Sequence, residues 1–305
     1  MTAPAAAAGL KMVDVPADGS GPAIKVAVWY PSNDPPSPIK FDAFILRGAK
    51  DGAVRGHKLP LVVMTHGRGG SFVGNSDTAE HLADEGFVVA SLNHPGDTAS
   101  DKSRIGELSI YLQRPKDVSR VIDHMITVDP WFATVDPNRI GIFGFSRGGY
   151  TGLVTVGARP NFLAGLPMCE GRTDKICGEL RGPQFSNLPM MHDRRIKAAT
   201  IVDPMTIFFT AESFSDVTVP VQLWASETGF DGVDHKAIET INAALKVPHT
   251  LNKIENSQHF SFIRVCPAGV AGQEPIVCND PPGFDREQFH VRLNSSVAEF
   301  FRANL

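Results

Sequence analysis

The chain has 305 residues, 20% of them charged and 42% hydrophobic, and carries a net charge of −4 at neutral pH. It has no basic block and no interleaving of aromatic with basic residues, which argues against a nucleic-acid or anionic-membrane partner, and its longest apolar runs, such as 59–64, fall far short of the roughly 20 residues a membrane-spanning helix needs. With no internal repeat or low-complexity tract, this length suits one large α/β domain over 1–305 acting on a small or neutral substrate.

In chain order, residues 1–22 read as irregular, and the first nine lack the basic segment and long apolar core of an export signal. Ile24, Val26, Val28 and Tyr30 alternate as an edge strand should, and the proline-rich stretch 31–38 closes it. Residues 39–58 read as a polar, glycine-bearing connection. Leu59 to Thr65 is a continuous apolar run, the pattern of a strand covered on both faces, and His66-Gly67-Arg68-Gly69-Gly70 follows at once. A helix from Asp77 to Glu85 ends at Gly86, and a strand from Phe87 to Leu92 leads into the loop Asn93-His94-Pro95-Gly96-Asp97-Thr98. His94 and Asp97 could form a dyad but read as anchors of that loop. An amphipathic helix from about Arg114 to Val128 sets Val118, Val121, Ile122 and Met125 on one face. The regular alternation of strand and helix predicts a parallel sheet covered on both faces.

Residues 139–150 then read as a strand, a sharp turn and the start of a helix. Gly144-Phe145-Ser146-Arg147-Gly148 fits G-x-S-x-G, in which a strained turn lifts the serine hydroxyl above the sheet. Gly144 and Gly148 leave room where strand and helix approach. Ile140, Ile142 and Phe143 supply the strand, and Tyr150 to Val156 the helix. Two backbone amides are placed to hold an oxyanion: that of Arg147, next to the serine, and that of Arg68, in the loop where Gly67 and Gly69 let the backbone face a substrate carbonyl.

Residues 160–195 break the rhythm, scattering Phe162, Leu163, Leu166, Met168, Phe185, Leu188, Met190 and Met191 among glycines and prolines. This predicts a cap over the site mouth, with methionines adapting to an acyl group; an insertion packed elsewhere on the surface is the alternative. Strands resume at Ile196 to Val202, ending in Asp203-Pro204, and at Val219 to Ala225. A helix from Asp234 to Leu245 and a strand at about Thr250 to Ile254 lead to Asn256-Ser257-Gln258-His259-Phe260. A histidine on the loop after the last strand completes the chain order serine, acid, histidine, and His259 is the expected general base. A helix from about Asp285 to Ala303 closes the chain.

The four cysteines form two close pairs, Cys169 with Cys177 and Cys266 with Cys278, each in a Pro/Gly-rich loop where a short disulfide closes easily, although three connectivities are possible. Local pairing implies an oxidising compartment, periplasmic or secreted. Four free thiols in a cytoplasmic enzyme is the other reading. A zinc site is not expected, since no pair has C-x-x-C spacing.

Together, residues 65–70, 93–98, 144–149, 202–204 and 258–262 resemble the α/β-hydrolase superfamily, and within it the bacterial dienelactone-hydrolase-like proteins allied to type II platelet-activating-factor acetylhydrolases, over most of the chain. The resemblance implies a serine carboxylesterase for short-acyl or compact esters, working through an acyl-enzyme on Ser146 with no metal or organic cofactor. Dienelactone hydrolases carry a cysteine nucleophile, so their lactone chemistry does not transfer to Ser146. Most α/β-hydrolases take the triad acid from the loop after the strand at 219–225, here Ser226-Glu227-Thr228-Gly229-Phe230-Asp231, where Gly229 occupies the usual aspartate position. Acetylhydrolases take it from the end of the preceding strand, where Asp203 stands. Asp203 is therefore the expected acid, with Glu227 and then Asp231 as alternatives. A peptidase or amidase with the same triad, and a silent hydrolase fold used for binding, are the competing functions.

Overall fold

The computed structural model describes residues 7–305 apart from 42, 183–188 and 231. The first half of the chain forms β1 (Ala7–Val15), β2 (Ile24–Ser32), β3 (Ser37–Phe41), β4 (Phe44–Lys50), β5 (Leu59–Thr65), α1 (Ser76–Asp84), β6 (Val88–Leu92), α2 (Ser109–Thr127), α3 (Trp131–Thr134) and β7 (Val135–Phe145). The second half forms α4 (Arg147–Thr155), α5 (Lys175–Arg181), β8 (Ile196–Val202), β9 (Val221–Ser226), α6 (His235–Ala244), β10 (His249–Ile254), α7 (Ala268–Ala271), α8 (Pro275–Cys278) and α9 (Arg286–Asn304).

The strands lie in the order β10-β9-β8-β7-β5-β6-β2-β1-β4-β3. From β10 to β6 neighbours run parallel, and β2 joins β6 antiparallel. The alternation along β5 shows why its sequence is apolar throughout. Leu61 and Val63 face α2, packing with Val118, Val121, Ile122 and Met125, whereas Val62 and Met64 face α1 and α9, packing with Leu82, Phe289, Leu293 and Phe301. A strand buried on both faces favours apolar residues throughout, and its polar last residue, Thr65, is satisfied by a hydrogen bond with His94.

The expectations for the antiparallel end are corrected. β2 is no edge strand, because β1 pairs with it antiparallel from Ala7 to Val15, within the segment read as irregular. Exposed Lys11, Met12 and Asp14 hide the strand pattern, and Gly9 leaves space for the Tyr30 ring, which would lie 2.3 Å from an added Cβ. The stretch 39–58 is likewise no plain connection. β3 and β4 form a hairpin that pairs Phe41 with Phe44 and buries Leu46 against the α1/α9 face.

Two features of this topology place a site. β6 lies on one side of β5 and β7 on the other, which opens a crevice at the carboxyl ends of the strands. Residues leading out of β5, β7 and β8 converge there. The segment after α4 contains a 3-10 turn, Phe162–Cys169, and α5, linked by the Cys169–Cys177 disulfide. Phe162, Ile176 and Leu180 pack on Tyr111 of α2, Tyr150 of α4 and Phe208 after β8; Phe185 and Leu188 lie outside the described residues. The second disulfide, Cys266–Cys278, ties the loop before α7 to α8. Both pairings are the local ones. Among the described residues no helix is long and apolar enough to cross a membrane, and no cluster of three or more metal-ligating side chains occurs.

Candidate active site

Ser146 follows β7 directly and has φ 58° and ψ −119°, a left-handed φ that residues with a Cβ rarely adopt and that persists only where the surroundings impose it. Those surroundings are the glycines on either side. A Cβ on Gly144 would lie 2.2 Å from the Gly148 carbonyl oxygen, and one on Gly148 would lie 2.0 Å from that of Thr65. The turn is then tied to the end of β8 and the loop after it: the Ser146 N–H donates to the Val202 carbonyl at 2.9 Å, and the Met205 N–H donates to that of Ser146 at 3.0 Å.

Across these ties the side chains of Ser146, His259 and Asp203 meet. The Ser146 hydroxyl lies 2.9 Å from His259 Nε2, and His259 Nδ1 lies 2.6 Å from Asp203 Oδ2. With Nδ1–H donating to the carboxylate, Nε2 is left as the acceptor for the serine hydroxyl. Asp203 is fully buried and accepts two further bonds, from the Ser226 N–H at 2.7 Å and the Ser226 hydroxyl at 2.8 Å. A buried carboxylate held by three donors is fixed in its orientation. The His259 ring is stacked on Phe145 at 4.7 Å and on Phe230 at 5.7 Å, with Phe260 edge-on. Its loop is secured from beneath, since Ser261 donates to Asp280, which is paired with Arg286.

Glu227, the first alternative acid, is engaged elsewhere. The Glu227 carboxylate accepts from the Asn256 N–H, at the far end of the His259 loop, and Asp231 lies outside the described residues. Gly67 lies close against the serine, an added Cβ falling 3.1 Å from Ser146 Cβ; Arg68 is the next residue in that loop, and Arg147 follows Ser146 at the start of α4. Among the described residues neither amide has a hydrogen-bond acceptor.

Beneath both amides lies a charged cluster that motif reading did not identify. Asp97 is fully buried and receives bonds from the Gly69 N–H at 2.9 Å, Arg147 Nη1 at 2.9 Å and Arg114 Nη1 at 2.6 Å. Arg114, also fully buried, donates in addition to the His66 carbonyl and, at 3.0 Å, to Thr151 on α4. Burial works to raise the Asp97 carboxyl, but the charges of Arg114 and Arg147 outweigh it and hold the pKa at about 2. Burial lowers Arg114 to about 10, which leaves it charged at neutral pH. His94 and His66 are pushed well below the ordinary imidazole value by burial, with Arg114 adding to the effect, so both are neutral. His94 bridges Thr65 and Asp117 at 2.7 and 3.0 Å. The signal available in the sequence was Arg114 itself, a charge in helical register with Val118, Val121, Ile122 and Met125 on a buried stripe.

Residues 73–174, about a third of the chain, match the model of the prolyl oligopeptidase family, and that segment contains the Ser146 turn. No curated protein sequence matches the chain. Among solved structures it is similar to a ferulic acid esterase from Streptomyces cinnamoneus, with TM-score 0.70 and 19% identity over 100% of this chain and 91% of that one. It is also similar to a dienelactone hydrolase from Anabaena variabilis, with TM-score 0.53 and 15% identity over 98% and 99% of the two chains. The fold of the chain is that of the α/β-hydrolases.

Proposed function

We propose that this α/β-hydrolase-fold protein is a serine hydrolase of carboxylic esters. One observation carries the reading: a continuous line of hydrogen bonds from the Ser146 hydroxyl through His259 to the buried Asp203, at 2.9 and 2.6 Å. In the proposed cycle His259 Nε2 takes the Ser146 proton as the oxygen attacks the ester carbonyl, and Asp203 fixes the imidazole tautomer and stabilises its charged form. The carbonyl electron pair moves onto oxygen, where the Arg68 and Arg147 amides receive it; an amide of this kind is worth roughly 3 kcal/mol of barrier. As the tetrahedral centre collapses, His259 returns the proton to the leaving alcohol. Water then repeats the sequence on the acyl-enzyme, giving the acid and restoring Ser146.

The expectation of short-acyl or compact esters rests on the resemblance to acetylhydrolases. Residues 160–195 serve in this reading as a cap, supported by the packing of Phe162, Ile176 and Leu180 with Tyr150 of α4 and with Met205 and Phe208 in the loop that follows Asp203. The two disulfides support a periplasmic or secreted location. The match to the prolyl oligopeptidase family favours a second reading, in which the same residues cleave an amide.

The test is hydrolysis of p-nitrophenyl esters from acetate to palmitate, and of matched p-nitroanilides, by the wild type and by Ser146→Ala. Ester turnover that falls with chain length and vanishes in the variant is expected. Turnover of anilides alone would move the assignment to an amidase or peptidase. No turnover of either, with no labelling by an organophosphate, would sink the hydrolase reading.

A further inference from the structure

We infer that Asp97 is a positioning residue for the oxyanion-holding amides, clamping the two separate backbone segments that supply them into one geometry; the inference rests on the ester-hydrolase reading above. The two amides come from elements with no covalent reason to stay in register. Arg68 lies in the loop after β5 and Arg147 begins α4 after β7. Asp97 comes from a third place, the loop after β6, and its carboxylate spans the gap. Oδ1 accepts from the N–H of Gly69, the neighbour of Arg68, at 2.9 Å, and Oδ2 accepts from the side chain of Arg147 at 2.9 Å. The Arg147 guanidinium is fixed from its other sides by the Ile105 carbonyl at 3.3 Å and by the Tyr111 ring, 4.7 Å below it.

Arg114 braces the same two segments from beneath. It donates to Asp97, to the His66 carbonyl in the loop, and to Thr151, whose hydroxyl donates to the Arg147 carbonyl at 2.9 Å. Asp97, Arg114 and Arg147 are all at most 4% exposed. A buried ion cluster of this kind is weak evidence for stability, since its desolvation cost can exceed its attraction. Its geometry has a different consequence. Amides aimed in advance at a developing charge need no reorganisation when the reaction occurs, and both aimed segments here end on one carboxylate. The clamp also makes a prediction opposite in sign to a simple field effect. Neutralising Asp97 would leave the positive charges of Arg114 and Arg147 uncompensated beneath the oxyanion, which by field alone would favour the transition state.

The experiment measures kcat and KM for p-nitrophenyl acetate, together with the inhibition constant of a trifluoromethyl ketone. Addition of the serine oxygen to this ketone forms a tetrahedral adduct whose oxyanion needs the same amides. Asp97→Asn is expected to lower kcat roughly 10- to 100-fold, less than or about equal to the loss of one whole oxyanion donor, with KM within about threefold and ketone binding weakened by the same factor as kcat. Arg147→Met releases only the α4 arm and leaves the Arg114–Asp97 pair intact. It is expected to lower kcat and ketone affinity together by roughly tenfold, and it carries the test if Asp97→Asn does not fold. Asp117→Asn, altered on the outer side of His94, is expected to keep wild-type kcat. An unchanged or raised kcat in folded Asp97→Asn or Arg147→Met, or a fall in kcat with ketone affinity intact, would overturn the clamp alone. Inert wild-type protein, or a Ser146→Ala variant that keeps its activity, would remove the ester-hydrolase reading and the clamp with it.

Discussion

Replacing Gly148 by alanine tests the packing that holds Ser146. The added Cβ would lie 2.0 Å from the Thr65 carbonyl oxygen, 2.6 Å from its carbon and 2.9 Å from the His66 carbonyl oxygen. Non-bonded heavy atoms settle at about 3.5 Å, so the closest contact is too short by about 1.5 Å. All three neighbours are backbone atoms of the central strand and its loop, which cannot rotate away as a side-chain tip would. Overpacking against such neighbours costs about 3 kcal/mol, the upper end of the usual range. With an unfolding entropy of about 2.1 cal/mol/K per residue, that lowers the Tm of a 305-residue chain by about 5 °C. The catalytic effect is larger than the thermal one. Relief of the contact moves the Ser146 turn away from the Arg68 loop, and a displacement of about 1 Å costs roughly 10²-fold in rate. Thermal unfolding and p-nitrophenyl acetate turnover measure the two effects. Gly178→Ala is the internal control: it lies in α5 with open space around the added Cβ, and it should stabilise by about 0.5–1 kcal/mol. A Gly148→Ala protein with wild-type Tm and kcat would refute the packing account.

Burial pushes the Glu80 carboxyl up to about 7, against the opposing pull of Arg264. Because the folded value lies above the unfolded one, this group's contribution is fully present below about pH 4.5 and is lost as pH rises through 7, a change on the order of 3 kcal/mol. Urea unfolding at pH 4 and pH 8 should therefore show Glu80→Gln gaining stability over wild type by that order at the higher pH; a pH-independent difference would contradict the assignment. The Cys169–Cys177 bond closes a loop with a sequence separation of 8, and Cys266–Cys278 one of 12. In the chain-entropy model they stabilise by about 2.5 and 2.8 kcal/mol. Cys169→Ser with Cys177→Ser should accordingly lower Tm by about 4 °C, and an unaltered melting curve would show that the unfolded chain gains no freedom there.

The parallel half of the fold was legible because strands covered on both faces leave an unbroken apolar run. Leu59–Thr65 and Ile196–Val202 have the same bounds in the sequence reading and in the structure. The antiparallel half was not legible, for the converse reason. β1 alternates buried with exposed residues irregularly, and β3 and β4 bury only scattered side chains, so each strand is specified by its partner more than by its own pattern. At the site, Ser146 and His259 carry local signals, a glycine-flanked turn and a position after the last strand. Asp203 was reached only by comparing two strand ends, since an aspartate before a proline marks any turn. Ser226, which gives Asp203 two of its three hydrogen bonds, has no signature at all. The Asp97–Arg114–Arg147 cluster draws one residue from each of three elements, and only the packed sheet brings them together.

The central claim is that Asp203 completes the line that activates Ser146, and the most direct measurement is kcat for p-nitrophenyl acetate in Asp203→Asn beside Glu227→Gln. The asparagine can still accept the Ser226 N–H but can present an N–H to His259, which disfavours the productive tautomer; in a well-studied serine protease the same exchange costs about 10⁴ in kcat. The account predicts a loss of that order in Asp203→Asn and a kcat within about threefold of wild type in Glu227→Gln, the threshold being set well inside one tenfold step of about 1.4 kcal/mol. An active Asp203→Asn enzyme beside a silent Glu227→Gln enzyme would contradict it and move the acid to the loop after β9.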